Sequence, residues 1–182
     1  MHTSTPGSAA PTLTAEPVAP AEFDAWRASV VEAYAADLAT NGGLTAVQAI
    51  RKAESDTASL LPDGVLTPGH EIYWLRVGEA AGAGVPASSI RIGRLWVAER
   101  TSHGTPILFV YDVAIDPQHR GRGYGRAAML LAEEIAGRRG LEEIGLNVFG
   151  GNTVARGLYS SLGYDERAVT MGKHLGAAGQ SR

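Results

Sequence analysis

Seven residues constrain this chain most: Arg120-Gly121-Arg122-Gly123-Tyr124-Gly125-Arg126. They separate a nearly continuous apolar run, Ile107 to Ile115 (ILFVYDVAI), from a stripe of Ala128, Leu131, Ala132 and Ile135 at helical spacing. The run ends at Asp116-Pro117 and reads as a buried strand, because a residue before proline avoids continuing regular structure. The stripe reads as an amphipathic helix. Alternating glycines in the connection let backbone N–H groups turn inward and meet a ligand with no Cβ in the way. The helix that follows adds its unpaired N-terminal donors and the positive end of its dipole. With three arginines beside it, the segment is built for phosphate, and a diphosphate is the natural fit.

The rest of the chain supplies the frame. Phe23, Trp26, Val30, Tyr34 and Leu38 mark one helix face, stopped by Asn41-Gly42-Gly43. Thr45 and Gln48 form a capping box for a second helix, with Ile50, Ala53, Thr57 and Leu60/Leu61 as its stripe and Pro62-Asp63-Gly64 as its end. Strands are predicted at 71–77, 90–100, 107–115 and 143–148, with a less regular one at 165–175. A turn region at 78–86 joins the first two. Asn152 to Leu162 is a short helix with Gly163 after it. The expected architecture is α/β, with a mixed, largely antiparallel central sheet flanked by helices and one β-α-β crossover around the glycine loop. A single domain is expected over 21–175. Residues 1–20 hold four of the nine prolines and read as a disordered arm, and 176–182 as a loose tail.

Composition removes several classes of function. Among 182 residues there is no Cys, which excludes disulfides, thiolate nucleophiles and Cys-ligated metal. The five histidines show no metal-ligand spacing, so no metal is expected. A net charge of −3 gives no general attraction for nucleic acid or an anionic membrane. No stretch reaches the roughly 18 apolar residues of a membrane helix. The start of the chain does not read as a signal peptide, so a cytoplasmic location is expected.

Three ligand readings fit a glycine loop. A Walker loop needs Gly-Lys-Ser/Thr, and Gly125-Arg126-Ala127 excludes it. A dinucleotide fingerprint is formally present as Gly123-x-Gly125-x-x-Ala128, but the next strand ends Val148-Phe149 without the acid a ribose needs. The third is the Arg-x-x-Gly-x-Gly loop that grips the diphosphate of coenzyme A. A plain strand–helix turn is the bland alternative.

The stretches VAIDPQHRGRGYGRAAMLLAE and LNVFGGNTVARGLYSSLGY, in this order, closely resemble the GNAT superfamily of acetyl-CoA-dependent N-acetyltransferases. The first motif is Arg120-x-x-Gly123-x-Gly125. The second is Leu146-x-Val148, then Asn152, Ala155, Leu158-Tyr159 and Gly163-Tyr164. The resemblance spans about residues 70 to 172, and the two N-terminal helices with LLPDGVLTPGH look like an uncharacterised bacterial branch. It implies a sheet splayed between its fourth and fifth strands, with acetyl-CoA as cosubstrate in the opening. Backbone N–H groups of Arg120, Gly121, Arg122, Gly123, Tyr124, Gly125 and Arg126 would hold the diphosphate. Main-chain groups of Val113, Ala114 and Ile115 would pair with the pantetheine arm and face the thioester carbonyl. Asn152 would bond that arm, Ala155 would lie beside it, and Tyr159 would sit near the sulfur.

The implied acceptor is a small-molecule amine or a peptide. A lysine-like amine has a pKa of about 10.4 and must lose a proton before attack, while the departing thiolate must gain one. A tyrosine hydroxyl can donate if held within reach, and Tyr159 is the candidate acid. Some members of the superfamily carry a glutamate where this chain has Asn147, and an amide cannot serve as base. Asp112, which interrupts an apolar strand, is the best carboxylate. Its bland reading is a buried aspartate shaping a bulge, and simple alternation turns it away from Tyr111 and Val113. Glu71 is a weaker alternative. Trp74, Trp96, Tyr73 and Phe149 are candidates for the acceptor wall, and Arg156 for the cofactor's 3′-phosphate. A non-catalytic acyl-CoA-binding module is the competing function. A homodimer is compatible with such a fold, and no residue here specifies one.

Overall fold

A computed structural model describes residues 13–78 and 89–173. Five strands form one sheet in the order β1-β2-β3-β4-β5: β1 Leu13–Pro17, β2 His70–Gly78, β3 Ser89–Ser102, β4 Thr105–Ile115 and β5 Ile144–Leu146. The first four pair antiparallel, and β4 with β5 is the single parallel pair. Helix α3 (Tyr124–Arg138) makes the crossover between β4 and β5. Helices α1 (Phe23–Asn41) and α2 (Ala46–Leu60) precede β2, and α4 (Thr153–Ser161) follows β5.

Two apolar layers sandwich the sheet. On one face Leu75, Ile92, Leu95, Val97, Leu108 and Val110 pack against Ala128, Met129, Ala132 and Ile135 of α3. On the other, Trp74 and Trp96 meet Trp26 and Val30 of α1, and α2 packs on α1 through Ala49 and Ala53. The expected capping box forms with both arms: the Gln48 N–H donates to Thr45 Oγ1 and the Thr45 N–H to Gln48 Oε1.

Three expectations need correction. Residues 13–17 are not a disordered arm; they pair as an edge strand with Val77 to Tyr73. Leu13 and Ala15 face inward between exposed neighbours, and Pro17 is tolerated at the strand's end on a sheet edge. Residues 165–173 form no strand. Val169 and Met171 lie exposed, and the three-residue β5 is too short an edge to template a sixth strand. The strand expected at 143–148 is only Ile144–Leu146, because its neighbour diverges from it (below). Residues 18–20 of the expected arm are ordered as well, with Val18 buried and its N–H bonded to the Ile72 carbonyl; residues 1–12, most of the turn region and the tail lie outside the described residues. Among the described residues no helix is long and apolar enough to cross a membrane.

Gly93 of β3 sits where the backbone of β4 comes closest: a Cβ there would drive into the Ala114 carbonyl oxygen. Gly93→Ala is therefore expected to lower the urea-unfolding free energy by about 2 kcal/mol or more. An unchanged midpoint would mean that β3 and β4 can part at this point freely.

Candidate active site

The parallel ladder is short. Leu108, Phe109 and Val110 pair with Ile144, Gly145 and Leu146, and there it stops, although β4 runs on to Ile115. Beyond Val110 the two strands separate, so one main-chain edge of β4 is left open. A cavity of about 650 Å³ fills the gap. Tyr111, Asp112 and Val113 line it from β4, Asn147 to Phe149 from the far side, Asn152 and Tyr159 from α4. Helices α1 and α2 close it with Tyr34, Asp37 and Asp56.

A β-bulge reshapes the wall. Val97 opposes Val110 and Trp96 opposes Asp112, which leaves Tyr111 as the extra residue. The extra residue resets the alternation. Asp112 shares the face of its partner Trp96, the face on which Tyr111 also packs, and does not turn away from Tyr111 as simple alternation predicts. Arg94 Nε donates to Asp112 Oδ2 at 2.7 Å, and the second nitrogen reaches Oδ1 at 3.4 Å. Burial raises the Asp112 carboxyl above its ordinary value; Arg94 opposes that shift and the charge of Asp37 adds to it. Arg94 is itself buried. Its role was not read from the sequence: only the β3–β4 register shows that two charges interrupting apolar strands are neighbours.

After β4 a single 3₁₀ turn, Pro117–His119, leads into the glycine loop. Gly121 and Gly123 adopt φ of 74° and 80°, the left-handed region that favours glycine. Gly123 is the N-cap of α3, and among the described residues no side chain caps that helix end, which leaves its first N–H groups for an external acceptor. Gly125 brings α3 close to α4: a Cβ there would lie 3.3 Å from Leu158 Cδ2. The arginines are employed differently from expectation. Arg120 Nε donates to the Ile115 carbonyl at 2.9 Å, and Arg126 bonds Ser161 Oγ and its carbonyl at the C-terminal end of α4. Arg122 is exposed.

Asn152 caps α4: its Oδ1 accepts from the Ala155 N–H at 3.1 Å, which leaves the amide NH₂ as a donor beside the cavity. Tyr159, two turns further on, is half-buried, with its ring 5.8 Å from that of Tyr164. Burial, and then the charge of Asp112, hold its hydroxyl above the ordinary value of 10.0. Tyr159 and Asp112 are thus brought to one cavity.

Other candidates are not. Glu71 is bound to Arg139 and to the Tyr73 hydroxyl, and neither it nor Tyr73 lines the cavity. Trp74 is buried in the core, whereas Trp96 and Phe149 do form part of the wall. Arg156 pairs with Glu166 and the Gly150 carbonyl on the surface of α4. Among the described residues no cluster of three metal-ligating side chains is found.

Comparison with known proteins matches this geometry to a family. The sequence model described as "Acetyltransferase (GNAT) family" matches residues 35–164. The chain is 27% identical over 164 residues to a protein of Bacillus subtilis named the uncharacterized N-acetyltransferase YycN, covering 90% of this chain and 99% of that one. The crystal structure of YycN superposes with a TM-score of 0.79, again at 27% identity and the same coverage. AAC(6')-Iy, solved with the bisubstrate analog CoA-S-monomethyl-acetylneamine, shares the fold at a TM-score of 0.55 and 15% identity, covering 90% of this chain and 99% of its own.

Asn152→Ala is expected to cost about 1 kcal/mol of stability through the lost cap, and Asn152→Asp to retain it. Thermal unfolding of the two variants beside the parent protein checks this, and equal losses would remove the capping role.

Proposed function

The chain belongs to the GNAT family of acetyltransferases, and from that premise we propose that it transfers the acetyl group of acetyl-CoA to a primary amine by direct attack of the nitrogen on the thioester carbonyl. The observation that carries the reading is spatial. β4 beyond Val110 and Tyr159 line one cavity, and the same strand leads through a single 3₁₀ turn into an uncapped helix N-terminus with two left-handed glycines.

The chemistry follows from those groups. The N–H groups around Gly121 to Arg126 are proposed to hold the diphosphate, where the dipole of α3 favours negative charge. The coenzyme A part of the analog bound by AAC(6')-Iy supports this choice of acyl carrier. The open edge at Val113 to Ile115 is proposed to pair with the pantetheine arm as an added strand would, with the Asn152 amide donating to it. For Ile115 to accept from the arm, Arg120 must yield its bond to that carbonyl or share it.

As the C–N bond forms, the carbonyl oxygen becomes an oxyanion, and a main-chain N–H at the bulge is proposed to meet it. The attacking nitrogen then carries acidic protons, one of which passes to Asp112 or through it to solvent. Collapse breaks the C–S bond. The Tyr159 phenol hydrogen-bonds the departing sulfur and passes its proton as the C–S bond stretches, and the proton shed by the nitrogen restores the phenol through solvent. Burial keeps this phenol protonated, the state a donor needs.

Acetyl-CoA at one hundred times its Kd should stabilise the parent protein by about 2.7 kcal/mol, read as a rise in Tm. Gly123→Glu should abolish that rise, since a carboxylate would enter the anion site. Tyr159→Phe should keep the rise and lose about 100-fold in kcat. Since a general acid fails only when it ionises, and this one is held above 10.0, the parent kcat should show no alkaline fall below pH 10. Protection without transfer to any amine would turn the reading into an acyl-CoA-binding module, and no protection at all would end it.

A further inference from the structure

The charged side chains around the cavity are not equivalent. Asp56 is held by Lys52 and by the Tyr34 hydroxyl, at 2.8 and 3.0 Å. Asp112 is held by Arg94, and Arg100 lies over the Phe109 ring with 4.4 Å to its centroid. Asp37 of α1 is different. Its backbone carbonyl accepts from Asn41, but among the described residues its carboxylate has no hydrogen-bond or ion-pair partner. It faces the same cavity, close enough for its charge to act on Asp112. Asp112 in turn acts on Tyr159 across the opening. Of the aromatic residues that line the same cavity, Tyr111 and Phe149 are partly exposed, as is Tyr34, while Trp96 and Phe109 are buried.

An unmatched carboxylate beside aromatic faces selects one kind of guest. A cation is attracted by both the charge and the ring faces, and a flat apolar body fills the space between them. A neutral guest gains nothing from Asp37, and an anionic guest is repelled by it, since Asp56 and Asp112 are already paired with Lys52 and Arg94. We propose that Asp37 is the specificity-determining residue of the acceptor side, receiving a primary amine as its ammonium on a flat, apolar body. This rests on reading the cavity as the site of acetyl transfer. The carboxylate contacts the ammonium on arrival; the ammonium then loses one proton to solvent and turns toward the thioester as the neutral amine.

Three compounds with one ring and different charge test it: 2-phenylethylamine, 2-phenylethanol and phenylacetate, titrated calorimetrically into the CoA-saturated protein. The amine should bind about tenfold or more tighter than the alcohol, as a charge-assisted hydrogen bond predicts, with phenylacetate weakest. Asp37→Asn should erase the difference between amine and alcohol. Glu32→Gln, on the same helix but outside the cavity lining, should preserve it. Equal binding of amine and alcohol, retention of the preference in Asp37→Asn, or binding of none of the three would overturn the proposal. Turnover of 2-phenylethylamine with acetyl-CoA is scored separately. Asp37-dependent binding without turnover would refute transfer while leaving Asp37 as the cation-binding group.

Discussion

The cavity exists because β4 cannot remain straight. One extra residue, Tyr111, enters β4 opposite the Trp96–Val97 step, and the strand leaves the line of β5 at the next position. The buried pair of Arg94 and Asp112 fixes that distortion. Each charge lies within or beside an apolar layer, and either would be costly alone; removing one partner of such a pair costs about 3 kcal/mol or more. Together they tie the central strand β3 to the residue after the bulge, so the opening is a property of the resting fold. Trp96 supports the same place: its indole N–H donates to His70 Nδ1 at 2.9 Å, and its ring stacks on Tyr111.

The glycine loop extends this economy to binding. Anion sites often rely on flexible arginines, yet Arg120 and Arg126 are here spent on carbonyl oxygens of β4 and α4. What stays free at the loop is rigid: helix N–H groups behind two glycines whose φ angles few other residues adopt. Fixed donors lose little conformational freedom on binding, which is the advantage of a preorganised site. The side-chain links also tie the loop to its surroundings. Arg120 joins it to the end of β4 and Arg126 to the end of α4, the two elements that also line the cavity.

Local signals carried most of the fold into the sequence. The Thr45–Gln48 box, the two-residue alternation of the strands and the glycine loop each depend on residues within a turn or two of one another. The edge strand at 13–17 escaped because proline and short polar residues conceal a five-residue alternation that only pairing with β2 stabilises. Asp112 was found, but its direction was wrong, because a bulge is set by register between strands. Arg94, Asp37 and Tyr34 were missed for the same reason. Nothing near Asp37 along the chain distinguishes it from other helix-surface acids. It matters through the cavity that β4, 75 positions later, opens in front of it.

The distribution of charge imposes a conflict that the remaining groups resolve. A free ammonium must shed two protons to become an amide, one to a base or solvent and one ending on sulfur. In the proposed transfer, negative charge from Asp37 and Asp112 would favour the incoming ammonium, yet disfavour the thiolate that departs. Arg94 tempers one of the two carboxylates, and the Tyr159 phenol confronts the other half of the problem. A thiol titrates near 8.5, below a phenol held above 10, so complete proton transfer to a finished thiolate would run uphill. The phenol therefore acts best as a hydrogen-bond donor while the C–S bond is stretching and sulfur is most basic relative to its environment. An unpaired carboxylate for the nitrogen and a neutral phenol for the sulfur are thus complementary requirements. Exchanging their environments would leave the amine unbound and the thiolate unprotected.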